Sequence, residues 1–161
     1  MQLTLLQSTV AGSISRLELL RWYREGKRIG KDFVLIDLRR TDFEVFTHFF
    51  FRRLHGGTIR GSLNLPVQSL YHAIPTLYSV LSQGKIANVV WYCGPYHLMK
   101  EAGSSQGRGA RATKWFAEYL KERKDGEMRS LVLEGGVKGW AAAGTDYTQL
   151  MDEYDESKWV R

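Results

Sequence analysis

Cysteine is nearly absent from this sequence of 161 residues, in which it occurs once, as Cys93. A single cysteine excludes an intramolecular disulfide and removes the usual sign of a protein that folds in an oxidising compartment. Long hydrophobic runs are missing as well, since no stretch approaches the roughly 20 apolar residues of a membrane span. The amino-terminal stretch lacks the basic start and long apolar core of a secretory signal. We therefore expect a cytoplasmic or nuclear protein with no membrane partner.

Neither sign of charge is in large excess. The formal net charge is +6, from 23 basic and 17 acidic residues, and the basic residues are spread along the chain. Nucleic-acid-binding proteins concentrate positive charge on one face or element, so nucleic acid is not an expected partner. A small oxyanion or a phosphorylated substrate is compatible with this charge. Hydrophobic residues make up 43% of the sequence, which is ordinary for a globular protein, and residues 1–161 are interpreted as one domain.

Three continuous apolar runs predict buried strands at residues 33–37, 88–92 and 130–133. Runs that are apolar at every position are typical of parallel strands covered on both faces. Helical patterns separate these runs, and the clearest spans residues 110–123, where large apolar residues recur at three- and four-residue spacing. The alternation predicts a single α/β domain with a central, mostly parallel sheet flanked by helices on both faces. The three runs should be neighbouring strands.

Shorter patterns predict the remaining helices. Ser15 and Glu18 have the spacing of a capping box, and Leu17, Leu20 and Tyr23 or Arg24 follow at helical spacing. Residues 69–82 are expected to be helical, with Pro75 starting or breaking a second turn. The expected buried face of that segment consists of Leu77, Val80 and Leu81. A short helix is predicted over residues 137–143.

The last part of the chain, residues 146–161, is acidic and aromatic. We interpret it as a tail that follows a core of about residues 13–145. Tyr154 and Trp159 are its largest aromatic side chains near the end, and they are expected to pack back onto the domain. Arg39 follows the first predicted strand, and a structural ion pair between Arg39 and Asp42 is expected there.

The residues around Cys93 have the sequence pattern of a candidate functional site. Cys93 directly follows the predicted strand 88–92, and a Gly/Ser loop at residues 104–107 leads to Arg108 and a helix that is predicted to begin at Ala110. Loop amides and the positive end of a helix dipole favour a bound tetrahedral anion, and they also favour the thiolate form of a nearby cysteine. The pattern therefore predicts an oxyanion site. A core role for the Cys93 thiol is the less favoured interpretation.

Four motifs then occur in an order that resembles a known family. They are Ile36-Asp37-Leu38-Arg39 with Asp42; residues 56–66, which begin Gly-Gly-Thr-Ile-Arg-Gly; Tyr92-Cys93 with Gly107-Arg108-Gly109; and Leu133-Glu134-Gly135-Gly136 with Trp140. Together they resemble the rhodanese-like fold from about residue 13 to residue 145. The loop after Cys93 is most similar to the branch that includes cell-cycle dual-specificity phosphatases and eukaryotic arsenate reductases.

Two segments depart from the family pattern. Residues 45–55, which contain four phenylalanines, stand between the Asp-Arg motif and the Gly-Gly passage, where the family has almost nothing. Fourteen residues separate Cys93 from Arg108, whereas the phosphatase branch has five and sulfurtransferases usually have four. Removing residues 95–103 leaves Cys-Gly-Ser-Ser-Gln-Gly-Arg, which has the phosphatase spacing. These insertions are interpreted either as translated non-coding stretches or as genuine loops of a diverged member. Residues 45–55 are expected to protrude as an apolar patch.

The resemblance implies a role for each residue of the site. Cys93 would be the nucleophile, and Arg108 would bind the oxyanion together with the loop residues Gly94, Ser104, Ser105, Gln106, Gly107 and Gly109. A general acid would come from Asp42, Glu44 or Glu101, and the sequence does not choose among them. Neither a metal nor a resident cofactor is implied. An arsenate reductase with one cysteine would need an external thiol such as glutathione or glutaredoxin.

Three functions remain open. The first is a rhodanese-like cysteine phosphatase or arsenate reductase, whose activity depends on whether the loop closes despite nine inserted residues. The second is a non-catalytic rhodanese-like interaction module. The third is a thiosulfate sulfurtransferase that forms a persulfide on Cys93, which the restored loop length disfavours. The sequence does not indicate an oligomeric state.

Overall fold

The computed structural model describes residues 11–40, 56–94 and 107–159. Both predicted insertions, residues 45–55 and 95–103, lie outside the described residues, so the expectations for them stay predictions. Within the described ranges, no helix combines the length and apolar character needed to cross a bilayer.

The described residues form short strands and helices that largely alternate along the chain. The strands are β1 (Gly12–Ile14), β2 (Phe33–Asp37), β3 (Thr58–Ile59), β4 (Leu63–Asn64), β5 (Asn88–Tyr92), β6 (Arg129–Leu133) and β7 (Met151–Asp152). The helices are α1 (Arg16–Arg24), α2 (Val67–Gln83), α3 (Arg108–Glu122), α4 (Gly136–Ala141) and α5 (Thr145–Thr148), followed by a 3₁₀ turn at Glu156–Lys158.

The main sheet has five parallel strands in the order β1-β6-β5-β2-β4. The three runs predicted as neighbours are its central members, β2, β5 and β6, and Val90 of β5 lies between Leu35 and Leu131. A second, antiparallel pair joins β3 to β7. The prediction of a single α/β domain with a central parallel sheet is therefore confirmed.

Each face of the sheet carries its own hydrophobic core, as the continuous apolar runs require. On one face, Phe33 and Leu35 pack with residues of α1 and α4. On the other face, Val34 and Ile36 pack with residues of α2 and α3. Successive side chains of a strand point to opposite faces, so a strand covered on both sides needs apolar residues at consecutive positions. The helices accordingly lie on both faces of the sheet.

Helix α2 differs from its prediction. It is one continuous helix of 17 residues that runs through Pro75, although proline removes the hydrogen bond to the carbonyl four residues earlier. Burial of Leu70 and Ile74 on one side of Pro75, and of Leu81 on the other, holds the two halves together. Val80 was expected to be buried but is 62% exposed. The next residue, Leu81, faces the core, and successive side chains along a helix are rotated by about 100°.

Helix α1 confirms the Ser15 half of the predicted capping box, whereas the Glu18 carboxylate accepts from Arg21 and Trp22 instead of from the Ser15 N–H. The Ser15 hydroxyl accepts a hydrogen bond from the Glu18 backbone N–H at 3.1 Å. Of the two leucines at helical spacing, Leu20 is buried and Leu17 is 57% exposed. Trp22 is buried as well, and its indole N–H donates to the Glu18 carboxylate at 3.1 Å.

The carboxyl-terminal tail packs back onto the domain, as predicted. Tyr154 and Trp159 lie against the core that contains α1 and α4. The Trp159 indole N–H donates to the Gly56 carbonyl at 2.8 Å. Gly56 has φ +77°, and a Cβ there would lie 2.6 Å from the Trp159 ring, so only glycine fits under the tryptophan. The tail therefore holds Gly56, the residue that follows the segment 41–55, against the domain.

Candidate functional site

Cys93 lies at the carboxyl edge of the sheet, directly after β5, the central strand of the five. Its thiol is free and partly exposed. Its carbonyl oxygen accepts a hydrogen bond from the Val137 N–H at 3.1 Å. Gly136 has φ +55°, and a Cβ at this position would overlap the Cys93 carbonyl oxygen. The glycine pair before α4 thus allows that helix to hold the main chain of the candidate nucleophile.

Arg108 comes close to the candidate nucleophile. Its Nη2 donates to the Gly94 carbonyl at 3.0 Å, so the arginine joins the two ends of residues 95–106. A Cβ on Gly94 would lie 2.8 Å from the Arg39 Cδ and 3.4 Å from the Val137 Cγ1. The residue after Cys93 is therefore enclosed between two fixed side chains, and only a residue without a Cβ fits there.

The start of α3 forms the other wall of this site. The sequence predicted a helix from Ala110, but α3 begins at Arg108, because Gly107 adopts an extended conformation (ψ 163°) and serves as the N-cap. The first-turn amides of residues 108–110 have no helical acceptor, and Arg111 N–H is the first to bond within the turn, to the Gly107 carbonyl at 3.1 Å. These amides mark the positive end of a helix of 15 residues.

Gly109 brings that helix end close to β5. It is buried, and a Cβ would lie 3.1 Å from the Val132 Cγ2 and 3.8 Å from the Trp91 carbonyl oxygen. Trp91 is two residues before Cys93. The Cys93 thiol, the Arg108 guanidinium and the first amides of α3 consequently border the same end of the central strand. This geometry favours binding of an anion with several oxygens.

A second polar region lies beside this site and is buried. The Arg39 Nε lies 3.0 Å from both carboxylate oxygens of Asp37, and the Arg39 Nη2 lies 2.6 Å from one of them. Asp37 is fully buried and Arg39 is 8% exposed. Asp37 is an ion-pair partner that the sequence analysis did not anticipate, and the expected partner, Asp42, lies outside the described residues. The pair neutralises two charges inside the protein.

Tyr92, immediately before Cys93, connects this pair to residues 58–62. Its hydroxyl donates to the Ser62 hydroxyl at 2.6 Å, accepts from the Ile59 N–H at 3.2 Å, and lies 2.7 Å from the Thr58 hydroxyl. Thr58 in turn donates to Asp37 at 2.9 Å. Burial, followed by the nearby Asp37 carboxylate, raises the pKa of Tyr92 far above its usual range. The tyrosine therefore stays protonated and fixes the end of β5.

Sequence reasoning missed the role of Tyr92, although a signal for it was present. A tyrosine at the end of a buried strand needs a hydrogen-bond partner for its hydroxyl. Thr58 and Ser62 lie in the turn-rich passage that follows the first predicted insertion, and they could have been proposed as partners. The passage is tied down further, since the Arg39 Nη2 donates to the Gly57 carbonyl at 2.7 Å. That bond connects residue 39 with residue 57, which lie on either side of the segment 41–55 in the sequence.

The described residues bring together only part of the predicted site. Cys93, Gly94, Gly107, Arg108 and Gly109 meet at the carboxyl edge of the sheet. The other predicted residues lie outside the described ranges, so their roles stay predictions: Ser104, Ser105 and Gln106 of the anion loop, and the candidate acids Asp42, Glu44 and Glu101. Within the described ranges, no group of three His, Cys, Asp or Glu residues is placed to hold a metal ion.

Comparison with solved structures identifies the fold. A structure of Ygr203w, described as a yeast protein tyrosine phosphatase of the rhodanese family, matches with a TM-score of 0.67 and 21% identity, covering 92% of this chain and 96% of that chain. A second structure, of Saccharomyces cerevisiae Ygr203w, is described as a homologue of single-domain rhodanese and of the Cdc25 phosphatase catalytic domain. It matches with a TM-score of 0.68 and 21% identity, covering 92% of this chain and 91% of that chain.

No protein-family model matches the sequence, and no curated protein matches it. At 21% identity, the two structural matches establish the rhodanese fold. The fold that the ordered motifs predicted is therefore confirmed, and the branch within it stays a prediction.

Proposed function

We propose that this protein is a rhodanese-fold cysteine phosphatase or arsenate reductase in which Cys93 is the nucleophile and Arg108 binds the oxyanion. One observation carries the proposal: residues 93 and 108 come together at one end of the central strand, through the Arg108–Gly94 hydrogen bond of 3.0 Å. The positive end of α3 lies at the same place. The two similar solved structures are of a protein described as a tyrosine phosphatase, which supports a phosphatase function in this proposal.

The chemistry begins with the Cys93 thiolate. Its sulfur attacks the phosphorus of a bound phosphate ester, so an S–P bond forms and the bond to the leaving oxygen breaks. The first amides of α3 and the Arg108 guanidinium stabilise the charge on the non-bridging oxygens. A general acid, for which we propose Asp42, Glu44 or Glu101, protonates the leaving oxygen. Water then attacks phosphorus, which releases inorganic phosphate and regenerates the thiolate.

With arsenate, the same attack forms an S–As bond and releases water. An external thiol, glutathione or the thiol of a glutaredoxin, then attacks the Cys93 sulfur, so that a mixed disulfide forms, the S–As bond breaks and its electron pair reduces the arsenic, which leaves as arsenite. A second external thiol attacks the mixed disulfide and regenerates the Cys93 thiolate. No resident cofactor takes part in either reaction. The proposed substrates are accordingly small oxyanions or phosphorylated molecules in the cytoplasm or nucleus.

A non-catalytic interaction module is the second candidate, and one contact favours it. Arg108 donates to a main-chain carbonyl within the site, which is the kind of bond that closes a loop. In that function, Arg108 would hold residues 95–106 in place, and Cys93 would not turn over substrate. The two candidates differ in whether the loop presents its amides and the Cys93 sulfur to the same bound anion.

The test compares three purified proteins: the full chain, a variant lacking residues 95–103, and that variant with Cys93→Ser. Hydrolysis of p-nitrophenyl phosphate, reduction of arsenate with glutathione, and sulfur transfer from thiosulfate are measured for each. The deletion restores five residues between Cys93 and Arg108, so we expect it to raise phosphatase or arsenate reductase activity by orders of magnitude. Arg108→Lys in the deletion variant keeps the charge but loses bidentate binding, and it should reduce kcat.

Each outcome decides between the candidates. Loss of turnover in the Cys93→Ser variant, with phosphate binding retained, supports the role of Cys93 as the nucleophile. An inactive deletion variant that still binds phosphate supports the interaction module. Activity with thiosulfate alone supports a sulfurtransferase. If the full chain is as fast as the deletion variant, the inserted residues do not impair the loop.

A further inference from the structure

Hydrolysis of the intermediate on Cys93 needs a group that accepts a proton. The water that attacks phosphorus must lose this proton, and a nearby carboxylate can take it. In the described part of the chain, two acids lie at the carboxyl ends of the three central strands of the main sheet: Asp37 ends β2, and Glu134 directly follows β6. Asp37 is fully buried, and Arg39 engages both of its oxygens. Glu134 is therefore the acid at these strand ends that remains for chemistry.

The register of the sheet places Glu134 beside Cys93. Strands β5 and β6 are parallel neighbours, and Trp91 of β5 is paired with Val132 of β6. Cys93 and Glu134 each follow that pair by two residues, so their main chains lie at the same level of the sheet, about 5 Å apart. The Glu134 N–H still donates to the Ile14 carbonyl of β1 at 3.0 Å. Glu134 thus continues the path of β6.

Both side chains lie on the face of the sheet that α3 covers. Cys93 packs against the core that contains residues of α2 and α3. Val132 points to the same face, because a Cβ on Gly109, at the start of α3, would lie 3.1 Å from the Val132 Cγ2. Side chains two residues apart on a strand share a face, which places Glu134 there too. The Ser13 hydroxyl, on the residue of β1 that is paired with Val132, donates to the Glu134 Oε1 at 2.7 Å.

The Glu134 carboxylate is exposed and is held at one of its two oxygens. Oε1 accepts from Ser13, which fixes the direction of the carboxylate. Within the described ranges, Oε2 has neither a hydrogen bond nor an ion-pair partner. A glutamate side chain also reaches farther from the main chain than a cysteine side chain does. The carboxylate is therefore placed to meet a group bound to the Cys93 sulfur rather than the sulfur alone.

We propose that Glu134 is the general base of the second chemical step. The proposal rests on the phosphatase form of the proposed function, in which the Cys93 sulfur carries a phosphoryl group. Glu134 Oε2 accepts one proton of the attacking water while the water oxygen bonds to phosphorus. The S–P bond breaks, and its electron pair returns to the Cys93 sulfur as the thiolate. Inorganic phosphate leaves, and the exposed carboxylate then releases its proton to solvent.

Alkylation of the full chain tests the placement of Glu134 without requiring turnover, because Cys93 is the only cysteine in the sequence. A neighbouring carboxylate disfavours the thiolate, which is the reactive form. Glu134→Gln should therefore raise the rate of alkylation by iodoacetamide at neutral pH and low ionic strength about threefold. The gain should be larger with iodoacetate, which is itself an anion. The matched control is Glu127→Gln, an exposed carboxylate before β6 at the opposite edge of the sheet, which should leave both rates unchanged.

Rapid-mixing kinetics of the full chain with p-nitrophenyl phosphate test the role of Glu134. The Glu134→Gln variant should release the first equivalent of p-nitrophenol at the wild-type rate, since the first step does not use this base. Its steady-state kcat should fall about 100-fold or more, and the chain phosphorylated on Cys93 should accumulate and be detected by intact mass. A purely structural role would slow both phases together.

The fold should tolerate this substitution, because glutamine can still accept from the Ser13 hydroxyl. Circular dichroism and thermal unfolding check it. If Glu134→Gln does not fold, Glu134→Asp takes its place, since it keeps the charge but withdraws the carboxylate from the water. It should lower kcat at least about tenfold and leave the first turnover unchanged.

The possible failures are distinguishable. A wild-type chain that releases no p-nitrophenol overturns the phosphatase form of the proposed function, and this inference with it. A wild-type chain that turns over, with the same kcat in Glu134→Gln, overturns the inference alone. An alkylation rate that Glu134→Gln changes no more than Glu127→Gln does also overturns the inference alone, because the carboxylate would then not face the Cys93 sulfur.

Discussion

Two arginines hold the ends of the two segments that interrupt the family pattern, and they do so in different ways. Arg39 is 8% exposed and is paired with a fully buried carboxylate, with a further bond to the Gly57 carbonyl. Arg108 is half-buried and donates to the Gly94 carbonyl at the edge of the sheet. The first arrangement neutralises charge within the protein and serves folding. The second places a cation against the main chain of Gly94, the residue that follows the partly exposed Cys93, where an anion could be bound.

The two regions are also in contact. The Arg39 side chain packs against Gly94 so closely that a Cβ there would lie 2.8 Å from the Arg39 Cδ. The buried Asp37–Arg39 pair consequently supports Gly94, the residue that follows Cys93. Variants in the two regions should separate the stability of the fold from the chemistry of the site.

Asp37→Ala should have the largest effect on stability. It removes the carboxylate that accepts from buried Arg39 and from Thr58, and loss of one member of a buried pair costs about 3–5 kcal/mol. Urea denaturation measures the change. Asp152→Ala removes a half-exposed acid that faces Arg60 and should cost less than about 1 kcal/mol. Similar losses for both variants would show that the buried pair is not the stronger element.

Gly136→Ala should affect both regions at once. The residue has φ +55°, and the new Cβ would meet the Cys93 carbonyl, so we expect a loss of about 2 kcal/mol or more and a displaced thiol. Unfolding and the rate of thiol modification by a disulfide reagent are measured together. Gly126→Ala is the control, because nothing lies within 4 Å of its Cβ position. Unchanged thiol reactivity in Gly136→Ala would argue against α4 as the support of Cys93.

Tyr92→Phe should cost about 1–2 kcal/mol, since it leaves buried partners of its hydroxyl without a bond. Tyr154→Phe is the control, because the Tyr154 hydroxyl makes no hydrogen bond within the described residues, and its stability should not change. Equal stability of Tyr92→Phe and the wild type at neutral pH would show that the polar cluster does not fix the end of β5.

The same variant has a distinct pH dependence. Burial raises the pKa of Tyr92 above its ordinary value of 10.0, so on raising the pH the unfolded chain loses this proton first. The contribution of the protonated tyrosine is complete below about pH 10 and is lost above it. Urea denaturation from pH 8 to pH 11 should therefore show a steeper loss for the wild type than for Tyr92→Phe. Parallel curves would contradict the assignment.

Arg108→Ala should have the smallest effect on stability, about 1 kcal/mol or less, because the side chain is half-buried and its acceptor lies at the sheet edge. Its effect on ligand binding should be the opposite, with phosphate affinity reduced at least tenfold, as calorimetry would show. A loss of stability as large as that of Asp37→Ala would mean that both arginines serve folding.

The parts of the fold that the sequence predicted are those with a local signal. The central strands contain runs of consecutive apolar residues, and the Ser15 cap and the aromatic residues of the tail also gave local signals. The strands β1 and β7 were missed because each has two or three residues and depends on a distant partner. Local propensity also mispredicted α2 at Pro75, where packing of the core residues on both sides outweighs one lost hydrogen bond.

In the candidate site, too, features with a local signal were predicted and contacts between distant residues were not. Cys93 and Arg108 were proposed as site residues from the predicted strand, loop and helix around them and from the ordered motifs. The pairing of Arg39 with Asp37, and the position of Tyr92 among Thr58, Ser62 and Ile59, depend on contacts between strands that are far apart in sequence. No local pattern encodes such contacts.

The pairing of β1 with β6 has a consequence for synthesis of the chain. Residue 12 pairs with residue 131, so β1 leaves the ribosome long before the strand with which it pairs. Parallel pairing over such a separation is slow. Until β6 emerges, β5 has an open edge, and exposed strand edges pair readily with other chains. A nascent chain that stalls before residue 129 would therefore aggregate before it could fold.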